Sequence, residues 1–451
     1  MDVTARISQF VTETHFDRIP PQALETAKIA LLDSLGVALA GSRETSAKIC
    51  AEIVRQEGAR QEAVVIGQGF KSSALQAAFA NGTAVHALDY DYSISRGGQP
   101  AAAIVPAIFS LGEPLRAGGR QLLEAYVAGF EVTAKMAGSL VDSSADGWHA
   151  PGILGSFGAS VACAKLLRLN AIEVRMALGI AVSMVGGVIC NFGTMTKPLH
   201  AGLGARNGVL ATKLAQAGYT ANARALEDGM GFYDVFYRGS PVNFEPLQEL
   251  GASYDLVTHG IKIKPYPCDG LTHPAIDATL KMRAEYGLTA ETVASIDVDV
   301  TAQTYSRVPF HIPETGVQGK FSMGYHLARA IIDGKITLDA FTDGAVRDQN
   351  VLQLTKKIRM SVDPDLKARD RGSRPCRVTV HLKDGQTYSR YGAHAKGSRE
   401  LPLTADELNA KFFECARRAI DESAAERVLD SINRLETLED IRPLCQVLMG
   451  S

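Results

Sequence analysis

Between residues 101 and 217 the chain holds five helix-length segments, 101–113, 119–140, 154–167, 171–190 and 199–217, many of whose inward positions are Ala, Gly or Ser. Such residues cannot hold two helix axes apart, so helices that meet on them come close to backbone contact. This half of the chain is therefore expected to be a compact helical core with several fully buried helices. The preceding residues follow the same style. A short helix from Val3 to about Thr14 ends before Ile19-Pro20-Pro21. A longer one from Pro21 repeats Ala23, Ala27, Ala30, Leu31, Ser34, Leu35 and Ala38 at spacings of three and four, and stops near Gly41. Helices are also expected over Lys48–Glu57 and in the Ala-rich stretch from Ser72 to Tyr90, with a short strand at Ala63–Gly67. Asn170-Ala-Ile-Glu173 has the form of a capping box.

The pattern changes after about residue 262. Val293–Thr301 alternates with period two and predicts a strand. Cys376–Leu382 and Thr387–Tyr391, joined through Asp384-Gly385, predict a hairpin. Helices are expected at Pro274–Glu285, Tyr325–Asp333 and Asp348–Lys356. The capping-box spacing of Thr404 and Glu407 opens a last helical stretch. The expected fold is mainly α with an α+β part. A large helical domain is built from both chain ends (1–264 and 401–451), with a smaller α+β domain (265–400) inserted.

Composition excludes several classes of function. Lys and Arg (47) nearly balance Asp and Glu (49), so there is no basic footprint for nucleic acid. The seven cysteines are dispersed without a CxxC, the usage of a reduced, cytoplasmic protein. The N-terminus lacks the layout of a signal peptide. The longest uncharged run, Met176–Cys190, is too short and too Gly-rich for a membrane span. HExxH, zinc-spaced Cys/His pairs, Walker A and Gly-x-Ser-x-Gly are all absent. Gly67-Gln-Gly69 follows an expected strand, but Ser72 stands where a dinucleotide fingerprint needs its third glycine. No metal or organic cofactor is expected.

Five places set polar groups among apolar or Gly-rich neighbours. In His86-Ala-Leu-Asp-Tyr-Asp91, the carboxylates of Asp89 and Asp91 could hold a cation or a His, or could merely solvate a helix end. Trp148-His149 precedes a buried helix, and a His can move protons near neutral pH. Thr194-Met-Thr-Lys197-Pro198 precedes a helix that also carries His200 and Arg206. Free N–H groups and the dipole at that helix mouth, with Lys197 and Arg206, suit a carboxylate-rich ligand; the other reading is a tightly packed helix with a surface Lys. Lys264-Pro-Tyr-Pro-Cys-Asp-Gly-Leu-Thr-His273 is a proline-fixed loop that delivers His273 to a helix start. Gly319–Tyr325 is another loop feeding a helix. Two His, a Lys, a Tyr and a carboxylate suit abstraction of a proton next to a carboxylate, which needs a base, a donor and cations that stabilise an enolate-like charge.

These motifs, with Met195–Gly202, Ala205-Arg-Asn-Gly208, Thr272–Asp277 and Lys320–Tyr325, resemble the MmgE/PrpD family in order along nearly the whole chain. That family includes 2-methylcitrate dehydratase, cis-aconitate decarboxylase and iminodisuccinate epimerase. The resemblance implies a helical domain with a smaller α+β lid, a homodimer, no cofactor, and a small di- or tricarboxylate substrate. It also implies an active site between the domains that uses Asp89, His149, Lys197, His273 and Tyr325. Gln99, Arg206 and Lys264 are expected to bind substrate. The chain departs from the family at Gln99, where dehydratase and decarboxylase members carry a His ten residues beyond the first Asp. Asp91-Tyr92 likewise alters the usual Asp-Asp pair. Glutamine cannot exchange a proton near pH 7. An epimerase has no leaving group to protonate, so Gln99 moves the expectation toward an epimerase of an iminodisuccinate-like acid. A dehydratase or decarboxylase is the alternative, and a non-catalytic carboxylate-binding protein a third reading.

Overall fold

The structure, a computed structural model, describes residues 2–94, 97–140, 147–368 and 373–450. It is mainly α with an α+β part. The chain separates into two compact units, a helical unit of Met1–Ile261 with Ala405–Ser451 and a mixed unit of Lys262–Thr404.

In the helical unit, α1 (Val3–Glu13), α2 (Pro21–Gly41) and α3 (Thr45–Glu57) lead through the hairpin β1 (Ala63–Val65) and β2 (Phe70–Ser72) to α4 (Ala74–Ala87). Then follow α5 (Ala101–Leu115), α6 (Gly119–Ser139), α7 (Ala150–Leu166), α8 (Ala171–Val182) and α9 (Thr196–Gln216). Helices α4, α5, α7 and α9 pack on one another, α6 lies against α7, and the later helix Ala405–Ala416 returns to pack on α2. In α7 every residue from Pro151 to Ala164 is buried, so this helix has no solvent face. Small residues make that possible. A Cβ at Gly202 of α9 would stand 2.3 Å from Thr83 Oγ1 and 2.4 Å from the Phe79 carbonyl oxygen of α4. One at Gly208 would stand 2.4 Å from Ala159 Cβ of α7.

Some helix ends differ from expectation, and each difference moves a polar residue. Helix α8 was expected to run to Cys190 and stops at Val182. Gly187 beyond it has φ +118°, a backbone that side chains rarely adopt, so the apolar run leaves the helix. Its capping box at Asn170 and Glu173 is formed, with both reciprocal bonds present. Helix α7 begins at Ala150, four residues earlier than expected, which makes His149 its N-cap. Helix α9 begins at Thr196, so Lys197 belongs to its first turn, where Pro198 costs no hydrogen bond.

The mixed unit holds one four-stranded sheet in the order β4-β3-β5-β6. Its strands are β3 (Val293–Val300), β4 (Ile358–Val362), β5 (Cys376–Leu382) and β6 (Thr387–Gly392). Strand β3 pairs parallel with β4, Val298 opposite Met360, and antiparallel with β5, Val298 opposite Val378. Strands β5 and β6 form the expected hairpin, with Gly385 at φ +92° in its turn. Ile296, Val298, Val300, Val378 and Val380 are buried and alternate with less buried residues along β3 and β5. Helices His273–Tyr286 and Met323–Asp333 pack on each other and on this sheet. Sequence patterning missed β4, an edge strand with no fully buried residue, so it carries little of the period-two signal.

Candidate active site

The segment after α4 turns sharply. Asp89 adopts φ +53°, a left-handed conformation that Asp tolerates better than most residues. The turn sends two carboxylates to different partners. Asp89 Oδ1 lies 2.7 Å from Lys197 Nζ, and the two side chains are only 6% and 7% exposed. Asp91 turns back, and both of its oxygens lie 3.1 Å from His86 Nδ1. The amide of Gln99 reaches the margin of the pair, with Nε2 3.5 Å from Asp89 Oδ1.

Two loops bring the other side chains in. Trp148 bridges Val188 in antiparallel fashion, and the His149 N–H donates to the Gly187 carbonyl at 3.0 Å. This fixes the start of α7 against the loop that leads to α9. His149 Nδ1 then lies 3.0 Å from Nδ1 of His200, so one nitrogen donates and the other accepts. Gly187 is required beside them, because a Cβ there would stand 2.9 Å from the His200 ring. The His86 and His149 ring centroids are 5.3 Å apart. The Phe192 and His149 rings meet nearly at right angles with centroids 5.0 Å apart, and the Phe192 centroid lies 5.0 Å from Lys197 Nζ.

Burial pushes the His149 imidazole well below the usual histidine range, and the charges of His86, Lys197 and His200 push the same way. His200 is lowered by burial first and then by His86 and Lys197. A neutral imidazole beside an ammonium and a carboxylate can accept a proton. When a polyanion binds, its charge favours the imidazolium, which can return the proton. The donor atoms of His86, Asp89 and Asp91 lie within 4.8 Å of one another. In this arrangement Asp89 Oδ1 holds the Lys197 ammonium and Asp91 is engaged by His86.

The helical unit thus brings together Asp89, Lys197, His149 and, at its edge, Gln99. Arg206 does not join them. It is nine residues beyond Lys197 on α9, about 180° around the helix and about 13 Å along it, and half-buried. In the mixed unit, Lys264 and His273 are buried, and His273 Nε2 donates to the Cys268 carbonyl at 3.2 Å. Tyr325 is fully buried; its hydroxyl donates to the Ala340 carbonyl and accepts from Arg329 Nε at 3.0 Å. Its one proton is used inside that unit. The candidate residues drawn from the sequence left out His86, Asp91 and His200. His86 and Asp91 both stand in a motif that sequence reading singled out. His200 falls three residues after Lys197, close to it around the helix, and that spacing was the available signal.

A buried cluster of carboxylate, ammonium and imidazole groups, gathered at helix ends in a small-residue core, defines a site suited to proton transfer on a carboxylate ligand. The MmgE/PrpD N-terminal domain matches residues 5–245, and the MmgE/PrpD C-terminal domain matches residues 266–437. The chain belongs to the MmgE/PrpD family. Among curated proteins it is similar to cis-aconitate decarboxylase of Mus musculus, 29% identical over 445 residues that cover 95% of this chain and 89% of the relative. It is also similar to cis-aconitate decarboxylase of Homo sapiens, 27% identical with 98% and 94% covered. A third relative, cis-aconitate decarboxylase of Aspergillus terreus, is 27% identical with 99% and 96% covered. Among the described residues, no helix is long and apolar enough to cross a membrane.

Proposed function

We propose that this chain is a lyase that delivers a proton next to a carboxylate of a small di- or tricarboxylic acid, with cis-aconitate as the first candidate substrate. The observation that carries the reading is the buried Lys197–Asp89 pair beside the hydrogen-bonded His149–His200 pair. The decarboxylase relatives, matched over nearly their whole length, support the lyase over the epimerase. Loss of CO2 from the carboxymethyl group of cis-aconitate breaks a C–C bond whose electrons form a new double bond. The electrons of the old double bond then take up one proton on the carbon beside a remaining carboxylate. Lys197 holds that carboxylate and stabilises its developing enolate charge, Asp89 positions Lys197, and His149 supplies the proton. Gln99 donates a hydrogen bond to a substrate carboxylate. From the family resemblance we give His273 a second acid/base role and Lys264 a carboxylate-binding role. Tyr325 we take to support the mixed unit.

A second reading is an epimerase acting on an iminodisuccinate-like acid. It is favoured by Gln99, which stands 3.5 Å from Asp89 and cannot exchange a proton near neutral pH. Proton NMR in D2O with cis-aconitate, citrate, methylcitrate and iminodisuccinate separates the two. The lyase predicts new vinyl signals and CO2 from cis-aconitate. Deuterium at an α carbon, with scrambled configuration and no vinyl signal, would refute it in favour of the epimerase. Binding without turnover of any of the four acids would leave a carboxylate-binding protein.

A further inference from the structure

His86 is 1% exposed and its Nδ1 faces the carboxylate of Asp91, itself fully buried. Its other ring nitrogen, Nε2, is buried and meets no hydrogen-bond partner among the described residues. A buried polar atom left without a partner is costly, and natural proteins keep few of them unless water, a ligand or chemistry uses the atom. Asp91 accepts from Nδ1–H, which fixes the neutral ring in the tautomer whose Nε2 carries a lone pair. A base oriented by a carboxylate on its far nitrogen is a general arrangement for proton transfer.

The surroundings place this lone pair in the site. The His86 and His149 ring centroids are 5.3 Å apart, and one His86 ring nitrogen lies within 4.8 Å of an Asp89 oxygen. Charged and titratable groups face the pair from every side. Asp89 stands on the same turn, His149 at the start of α7, and Lys197 and His200 on α9. Asp33 of α2, bound by Lys411 at 2.6 Å, stands behind Asp91. Gln99 cannot be a proton carrier here, whereas His86 can.

Resting on the function proposed above, we propose that His86 is a further proton-transfer residue of this site, and that Asp91 is its positioning residue. The lone pair of Nε2 takes up a proton from solvent, while Nδ1–H stays on Asp91. The ring then carries one positive charge, balanced by that carboxylate, and returns to neutral when Nε2 hands the proton to the substrate carbon that gains a proton as CO2 leaves.

The test uses the full chain with imidazole 15N labelling, and the His86→Gln variant to assign the His86 signals. In wild type at pH 7.5, Nδ1 is protonated and Nε2 is not; adding cis-aconitate shifts the Nε2 signal, and Asp91→Asn mixes the tautomers. In turnover of cis-aconitate, His86→Gln lowers kcat at least 100-fold with KM within about threefold, and one ionisation leaves the pH profile. Imidazole restores part of the rate to His86→Ala. A protonated Nε2, or an Nε2 signal indifferent to cis-aconitate, overturns the inference. So does a His86→Gln enzyme with the wild-type pH profile and a rate within threefold. If wild type does not turn over cis-aconitate, the decarboxylase reading falls, and the nitrogen signals alone decide the role of His86.

Discussion

Replacing Lys197 by Met removes a charge and keeps most of the volume. The cost follows from the geometry, because the ammonium and the Asp89 carboxylate stand 2.7 Å apart with side chains 7% and 6% exposed. At an effective dielectric of about 20, the gross attraction at this distance is about 6 kcal/mol. Desolvation cancels part of that for the intact pair. Removing one partner takes the ion-pair compensation away from the other buried charge, at about 3–5 kcal/mol. Lys197→Met should therefore destabilise the helical unit by about 3 kcal/mol. With a urea slope of about 3 kcal/mol/M, the midpoint falls by about 1 M. The protein's single tryptophan, Trp148, lies in this unit against Phe236, so its fluorescence follows the unfolding of this unit. Asp89→Asn should also destabilise, but Lys197→Met with Asp89→Asn should recover to within about 1 kcal/mol of wild type, since both charges of the pair are then removed together. The reasoning is refuted if Lys197→Met costs under 1 kcal/mol, or if the two single effects simply add.

Gly202→Ala sets a Cβ 2.4 Å from the Phe79 carbonyl, which is backbone and cannot rotate away, so α4 and α9 must separate. Urea unfolding followed by Trp148 should show a loss of about 2–3 kcal/mol. His326 is buried between Thr272 and the Gly319 carbonyl, and burial pushes its imidazole down to about 3. The unfolded chain takes up this proton near pH 6.5 and the folded chain does not, so its contribution to stability is lost as pH falls from about 6.5 toward 3, by about 1.4 kcal/mol per unit. His326→Gln should flatten the pH dependence of the mixed unit's urea midpoint, read by circular dichroism between pH 4.5 and 7; an unchanged slope would contradict the assignment. Gln99→His places a titratable group beside Asp89. It should add one ionisation to the pH–rate profile on cis-aconitate and raise kcat if the lyase reading holds, whereas an unchanged profile would place residue 99 outside the chemistry.

Periodicity and small-residue content made most of the helices legible. The spacing of Ala and Leu in α2 and the capping box of α8 are local signals, and local backbone preference is enough to place them. The β5–β6 hairpin was equally readable from alternation and Asp384-Gly385. Strand β4 was not, because its identity as a strand rests on pairing with β3, far away in the chain. The termini of α7, α8 and α9 were misplaced by several residues, since the turn at Gly187 is selected by what packs against it, the ring of His200.

The sequence by itself determined which chemistries are present: imidazoles, an ammonium and carboxylates beside expected helix ends, in a chain whose basic and acidic residues nearly balance. Resemblance supplied the family and most of the candidate residues. Only the tertiary structure decided the pairing of those groups. The left-handed turn at Asp89 gives one carboxylate to Lys197 and sends the other back to His86, across 108 residues in the first case and five in the second. It also used the Tyr325 hydroxyl inside the mixed unit. The physical reason is the same in each case. A residue type sets what a side chain can donate or accept, while its partner is whatever group the packed helices leave within about 3 Å of it.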